Sequence, residues 1–353
     1  MTSAARLAAH RDIAASLALL SDRELAESVA RAEDLGTGIG GRSALLRVDG
    51  RQVFVKHVRL TDLERQPGNR LSTANLFRLP PYLHYGVGSI GSPGLGAWRE
   101  LAVHRTTTNW VLSGRFPGFP LLHHWRVLPD TPRPLPEELA DVERTVAYWG
   151  GAPQVRARIE ALRAATARLT LFLEYVPYTL HDWFGARLGT EAADAACGFV
   201  ERGLKAVADF LHARRLLHLD AHFHNILTDG RQLYLSDFGL ALSSRFRLTP
   251  EERAFFGRHR GYDRAYTATY LVNWLATALY GYGMAERRAF VRAWAEGGRP
   301  DGVPPATAAL LTRHAPLAAR MNDFHDRLRE ESRLTPYPHD ELRLAYSSST
   351  PSA

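Results

Sequence analysis

Leu216-Leu217-His218-Leu219-Asp220-Ala221-His222-Phe223-His224-Asn225-Ile226-Leu227, followed twelve residues after Asn225 by Asp237-Phe238-Gly239, decides how this chain is read. Between the blocks, Thr228-Asp229-Gly230-Arg231 has the composition of a turn, and Gln232 to Ser236 that of a short strand. A carboxylate, an amide five residues later and a second carboxylate therefore stand on adjoining loops. Hard oxygens of this kind suit magnesium. The alternation of His218, Asp220, His222 and His224 has a second reading, as a site for zinc or another transition metal. That reading leaves Asn225 and the Asp-Phe-Gly without a part.

Working outward, Leu204 to Arg214 has the pattern of an amphipathic helix, and Leu169 to Tyr175 is a dense apolar strand ended by Pro177. Much further upstream, Gly36-Thr37-Gly38-Ile39-Gly40-Gly41 forms a turn-rich glycine loop. Two strand-like runs, Ala44 to Val48 and Gln52 to Val58, flank Asp49-Gly50, a strong hairpin signal. The second run carries Lys56. The chain has two lysines, Lys56 and Lys205, among 44 basic residues. A lysine kept in so arginine-rich a chain marks a place where a compact ammonium is needed and a planar fork would not fit. Ala97 to Leu112 has helical spacing through Trp98, Leu101, Ala102 and Trp110.

The glycine spacing alone also fits a dinucleotide-binding turn, which needs a strand before it and a helix after it. Here a helix is expected before it and a strand after it. Residues 1–34 are expected to be helical, with Ser21 and Glu24 forming a capping box. Residues 61–96, rich in Pro and Gly, form an irregular insert. Residues 129–168 form a second insert, with prolines at 129, 132, 134 and 136 and then helices near 137–148 and 153–167. From residue 190 onward the pattern is mostly helical, and the end of the chain has little to bury.

These blocks, in this order, resemble the protein-kinase-like superfamily, which includes eukaryotic-type protein kinases and the aminoglycoside and choline kinases. The resemblance spans about residues 35–280. It implies an α+β, two-lobed fold with a mainly β N-lobe carrying helical inserts and a mainly α C-lobe. The segments expected are a helical extension over 1–34, an N-lobe over 35–176 with inserts 61–96 and 129–168, a helical C-lobe over 177–340 and a disordered tail over 341–353. It further implies ATP and Mg2+ as cofactors, with Asp220 as catalytic base and Asn225 and Asp237 as magnesium ligands. Gly36, Gly38 and Gly41 would cover the phosphates and Lys56 would contact them. Glu174 and Val176 would meet adenine through their main chain. The partner of Lys56 would be a glutamate on the next helix; Glu100 is the choice and Glu64 the rival. His222 would stabilise charge near the transferred group.

The chain also departs from the family's pattern. Leu219 stands where many regulated protein kinases carry an arginine, and no Ala-Pro-Glu follows the Asp-Phe-Gly. His222 stands where kinases acting on Ser/Thr usually carry lysine, and aminoglycoside and choline kinases often carry histidine. The expected activity is transfer of the ATP γ-phosphate to an acceptor hydroxyl. The formal net charge of +7 favours a neutral or anionic small molecule over a polycationic aminoglycoside. A serine/threonine protein or peptide kinase and a nucleotide-binding pseudokinase are the alternatives. Nucleic acid is the less favoured partner. The 353 residues hold one cysteine, Cys197, so no disulfide forms within the chain, and no apolar run is long enough to cross a bilayer. The expected location is the cytoplasm.

Overall fold

The Asp49-Gly50 pair turns as its composition demands. Both residues have left-handed backbone, φ 49° and 76°, as a two-residue hairpin of the primed type needs. In the computed structural model, which describes residues 3–38, 41–86, 88 and 90–349, this turn joins the second and third strands of a five-stranded sheet. The strands are β1 (Glu33–Gly38), β2 (Gly41–Val48), β3 (Arg51–Leu60), β4 (Leu122–Pro129) and β5 (Ala167–Glu174). Their order is β1-β2-β3-β5-β4, and every neighbouring pair is antiparallel.

Both faces of this sheet are covered, which explains why its central strands read as dense apolar runs. Side chains alternate along β5. Phe172 joins Val53, Val55, Ala44 and Leu46 on one face. Leu169, Leu171 and Leu173 join Leu60, Trp98 and Leu101 on the other. The helix Ala97–Leu112 covers this second face. The first face is covered by two helices, Ser3–Ala18 and Asp22–Ala30. They insert Ile13, Leu17, Leu25 and Val29, each pair spaced one helical turn apart. Each such side chain contributes about 2 kcal/mol of burial. The N-terminal helices are therefore built into the sheet's core. The Ser21/Glu24 capping box is present.

The chain divides into two compact units. The first is Met1–Val176 with Ser236–Ala241 and Arg245–Glu251. The second is Pro177–Leu235 with Leu242–Ser244 and Glu252–Ala353. Within the first, residues of the two inserts share a core: Leu79, Leu83 and Leu95 pack with Leu135, Leu139, Trp149, Ile159 and Leu162. The second unit is mainly helical. Its longest helices are Ala193–Arg214, Tyr262–Tyr280 and Pro305–Glu330. Two small ladders, Leu216–Leu217 with Leu242–Ser243 and Tyr178–Thr179 with Ile226–Thr228 and Leu233–Leu235, fix the loop between them.

Two expectations need correction. Gly36 and Gly38 lie within strand β1, so a strand precedes the glycine segment where a helix was expected. Gly38 pairs with Gly41 across the hairpin, while Ile39 and Gly40 fall outside the described residues. Strand β2, not a helix, comes after the glycines, and that excludes a dinucleotide-binding turn. The expected disordered tail over 341–353 is also wrong for most of its length: His339–Ser349 is a helix. Leu342 and Ala345, three residues apart on one face, are buried, and Asp340 and Glu341 suit its positive N-terminal end. Residues 350–353 lie outside the described residues. Among the described residues no helix is long and apolar enough to cross a membrane.

Candidate functional site

In the first unit the site is built around Lys56. The β2–β3 and β3–β5 registers set Lys56 opposite Ser43 and Leu171, with its side chain buried. Its ammonium lies 2.8 Å from Glu100 Oε1 and 2.9 Å from Asp237 Oδ1. Burial alone would lower its pKa. Asp237 first and Glu100 second outweigh that and hold the group well above the ordinary lysine value. The compact ammonium meets both carboxylates from one nitrogen.

Glu100 reaches Lys56 because of how its helix begins. The helix Ala97–Leu112 starts after Gly96, whose φ of 136° suits glycine. Its first amide, Ala97 N–H, donates to Glu64 Oε1 at 2.8 Å, and the Trp98 indole donates to the Glu64 carbonyl at 2.8 Å. Glu64 is buried and ion-pairs with Arg158 at 3.0 Å. Of the two candidate partners, Glu100 meets Lys56, and Glu64 caps the helix that carries Glu100. One turn further on, His104 packs edge-on against the ring of Phe238, with centroids 4.9 Å apart. Asp237 itself has left-handed backbone, φ 59°, and its Oδ1 accepts Gly239 N–H at 3.2 Å.

The glycine hairpin lies beside Lys56 along the sheet. Gly41 directly precedes the Arg42–His57 and Ser43–Lys56 pairs. A Cβ at Gly41 would come 1.9 Å from the His57 carbonyl oxygen, and its φ is 121°, so glycine is obligatory there. Gly36 and Gly38 have open space around them. Glu174 ends β5 with its N–H donating to Leu121 O at 2.8 Å. Its carboxylate accepts Leu121 N–H at 3.0 Å and both Arg6 Nε and Nη2, at 2.8 and 2.7 Å. Val176, partly exposed, is the last residue before the first break between units.

In the second unit the site is the loop from His218 to Asn225. Asp263, buried in the first turn of the helix Tyr262–Tyr280, holds the start of the loop. It accepts His218 N–H at 2.7 Å and Leu219 N–H at 2.8 Å. Burial pushes its carboxyl up to about 6 against the downward pull of those two donors. Leu219 is left-handed, φ 68°, and the chain then exposes Asp220 in part. Asn225 Nδ2 donates to the Asp220 carbonyl at 2.9 Å and to its Oδ2 at 3.1 Å. His222 Nε2 is 3.8 Å from the same oxygen.

The alternating His/Asp row does not gather into a metal cage. His218 is fully buried and its Nδ1 accepts Asp220 N–H, while His224 stacks on His181 with centroids 4.3 Å apart. Among the described residues no group of three or more His, Cys, Asp or Glu is arranged to hold a metal ion. Sequence patterns did not single out Asp263, Arg158 or Arg6. Asp263 had one local signal, an acid in the first turn of a helix. The other two had none. No protein-family model matches the chain, and no curated protein matches its sequence.

Proposed function

We propose that this chain is an ATP-dependent phosphotransferase of protein-kinase-like, two-lobed architecture, acting on a hydroxyl-bearing acceptor. The observation that carries the reading is the triple contact Glu100–Lys56–Asp237. These residues stand 44 and 137 positions apart in the sequence, and both carboxylates meet one buried ammonium.

In this reading Lys56 stays an ammonium at every physiological pH and binds phosphate oxygens, with Glu100 fixing its position. The Asp220 carboxylate accepts the proton of the acceptor hydroxyl. The acceptor oxygen bonds to the γ-phosphorus, the bond to the β,γ-bridging oxygen breaks, and ADP leaves with that electron pair. The hydrogen bond from Asn225 Nδ2 holds the carboxylate in place. Asn225 through its amide oxygen and Asp237 through its carboxylate, which is 35% exposed, would hold Mg2+. Their hard oxygens fit that ion, which when bound neutralises phosphate charge.

The test is Mg-dependent turnover of γ-labelled ATP with pooled small metabolites and pooled peptides, in wild type, Lys56→Met, Asp220→Asn and Asp237→Asn. Loss of turnover by a factor of about 100 or more in each variant is expected. Turnover that survives all three substitutions, or none in the wild type with any pool, overturns the reading.

A further inference from the structure

Beyond the loop, one helix face links Asp220 to an arginine that ion-pairs with no acid among the described residues. The helix Tyr262–Tyr280 carries Asp263 at one end and Thr277 near the other, with Tyr270 between them. Tyr270 is partly exposed and its ring lies 6.2 Å from that of His222. Burial first, and then the charge of Asp220, raise the pKa of its hydroxyl, and the charge of Arg287 opposes them. Arg287, on the helix Met284–Ala295, donates from Nη1 to Thr277 Oγ1 at 3.0 Å. Its Nε is buried with no hydrogen-bond partner among the described residues.

The acidic neighbour that would neutralise Arg287 is already engaged. Asp326 ion-pairs with both Arg288 and Arg329. Two guanidiniums thus share that carboxylate, and Arg287 stands beside them without an ion pair among the described residues. Burial, and then the repulsion of Arg329, makes the charge on Arg287 costly to hold. Tyr270 and Thr277 are seven residues apart, so Arg287 meets this face about 10 Å beyond the tyrosine. A planar fork with buried, unused N–H is the group that recognises a phosphate or carboxylate by paired hydrogen bonds.

We propose that Arg287 is the specificity-determining residue of the acceptor site, binding the phosphate or carboxylate of a small hydroxy-anion whose hydroxyl lies at Asp220. This deepens, and rests on, the phosphotransferase reading. A cationic or neutral acceptor would leave Arg287 without an anion.

The first arm is calorimetric titration of inorganic phosphate into wild type, Arg287→Met, Arg287→Lys, Lys56→Met and the double variant Arg287→Met/Lys56→Met, without nucleotide. Arg287→Met should weaken phosphate binding roughly ten- to a hundredfold, the range of one charge-assisted contact. Arg287→Lys should retain most of it, and the loss in Arg287→Met should be the same whether or not Lys56 is also replaced by methionine. If Arg287→Met loses its helical circular dichroism, Arg287→Gln takes its place with the same expected loss. The second arm compares glycerol with glycerol 3-phosphate and D-glycerate as acceptors. An anionic member should be preferred by the wild type, and the preference should collapse in Arg287→Met through KM.

Phosphate that binds Arg287→Met as it binds wild type, or binding abolished by Lys56→Met alone, overturns the anion site. Loss of binding in Arg287→Met from a protein that never turns over ATP keeps the anion site and refutes phosphotransfer. Turnover that depends on Asp220 and Lys56, with phosphate binding indifferent to Arg287, does the reverse.

Discussion

Replacing Arg158 with methionine should strip a buried carboxylate of its cation. Glu64 is 2% exposed and accepts from Thr61 N–H at 3.0 Å, Thr61 Oγ1 at 2.7 Å, Ala97 N–H at 2.8 Å and Arg158 at 3.0 Å. Burial is the largest influence on its pKa and pushes it up. Arg158 next, with the hydrogen bonds, reverses that and leaves it lowered. Removing one partner of a buried pair costs about 3–5 kcal/mol, which in a unit of this size shifts the midpoint of thermal unfolding on the order of 10 °C. The pH dependence also changes sign. In the wild type a depressed folded pKa gives stability that is present above the unfolded carboxylate pKa and lost as pH falls through the folded one. Without Arg158, burial dominates and raises the folded pKa. The variant is then relatively most stable in acid, below the unfolded pKa, and loses stability as pH rises through the folded one. Its deficit should therefore be larger at pH 8 than at pH 5, and the double variant Arg158→Met/Glu64→Gln should recover much of it. Urea unfolding at the two pH values measures this. A deficit under about 1 kcal/mol, or one that does not change with pH, would refute the reasoning.

Two further expectations concern the loop and the buried histidines. Asp263→Asn offers one oxygen where two backbone N–H groups need acceptors; it should cost about 1–3 kcal/mol in urea unfolding and weaken the proposed phosphotransfer together with it. His57, His123, His259 and His325 are each held neutral, with pKa pushed down to about 3 chiefly by burial. Between that value and the unfolded value near 6.5 the unfolded chain binds more protons. Stability should thus fall on acidification through this window, by up to about 1.4 kcal/mol per pH unit for each histidine. Asp263, with its raised carboxyl, opposes this over about pH 4 to 6, one group against four. Unfolding midpoints equal at pH 7 and pH 5 would contradict this account.

What the sequence could tell depended on how far apart the interacting residues lie. The Asp49-Gly50 hairpin, the Ser21 capping box and the helix from Ala97 to Leu112 are local patterns, and each is where its chemistry placed it. Choosing Glu100 over Glu64 succeeded because Trp98 and Leu101 give Glu100 a helix with a defined buried face. Gly36 and Gly38 gave no strand signal, since glycine supplies neither alternation nor β-branching, and β1 is held by its pairing with β2. Among the described side chains the last helix has two buried positions, Leu342 and Ala345, too few to stand out beside a serine-rich end. Arg158 and Glu64 are 94 residues apart, and Arg6 and Glu174 are 168 apart. A sequence shows that such charges exist and does not show which of them meet. The shared core of the two inserts was hidden for the same reason.

The Arg6–Glu174 bridge bears on where the chain can be cut. Motif matching places the start of the recognisable region near residue 35, and a fragment begun there would look complete. It would lack Arg6, whose guanidinium binds Glu174 and the carbonyls of Pro117 and Phe119 at once. It would also bare Leu46, Val53, Val55 and Phe172, now covered by Ile13, Leu17, Leu25 and Val29. A stripped, half-greasy sheet with an uncompensated carboxylate at the end of β5 is a substrate for aggregation and proteolysis. For anyone expressing this protein, the two helices ahead of the first strand are as much a part of the domain as the strands they cover.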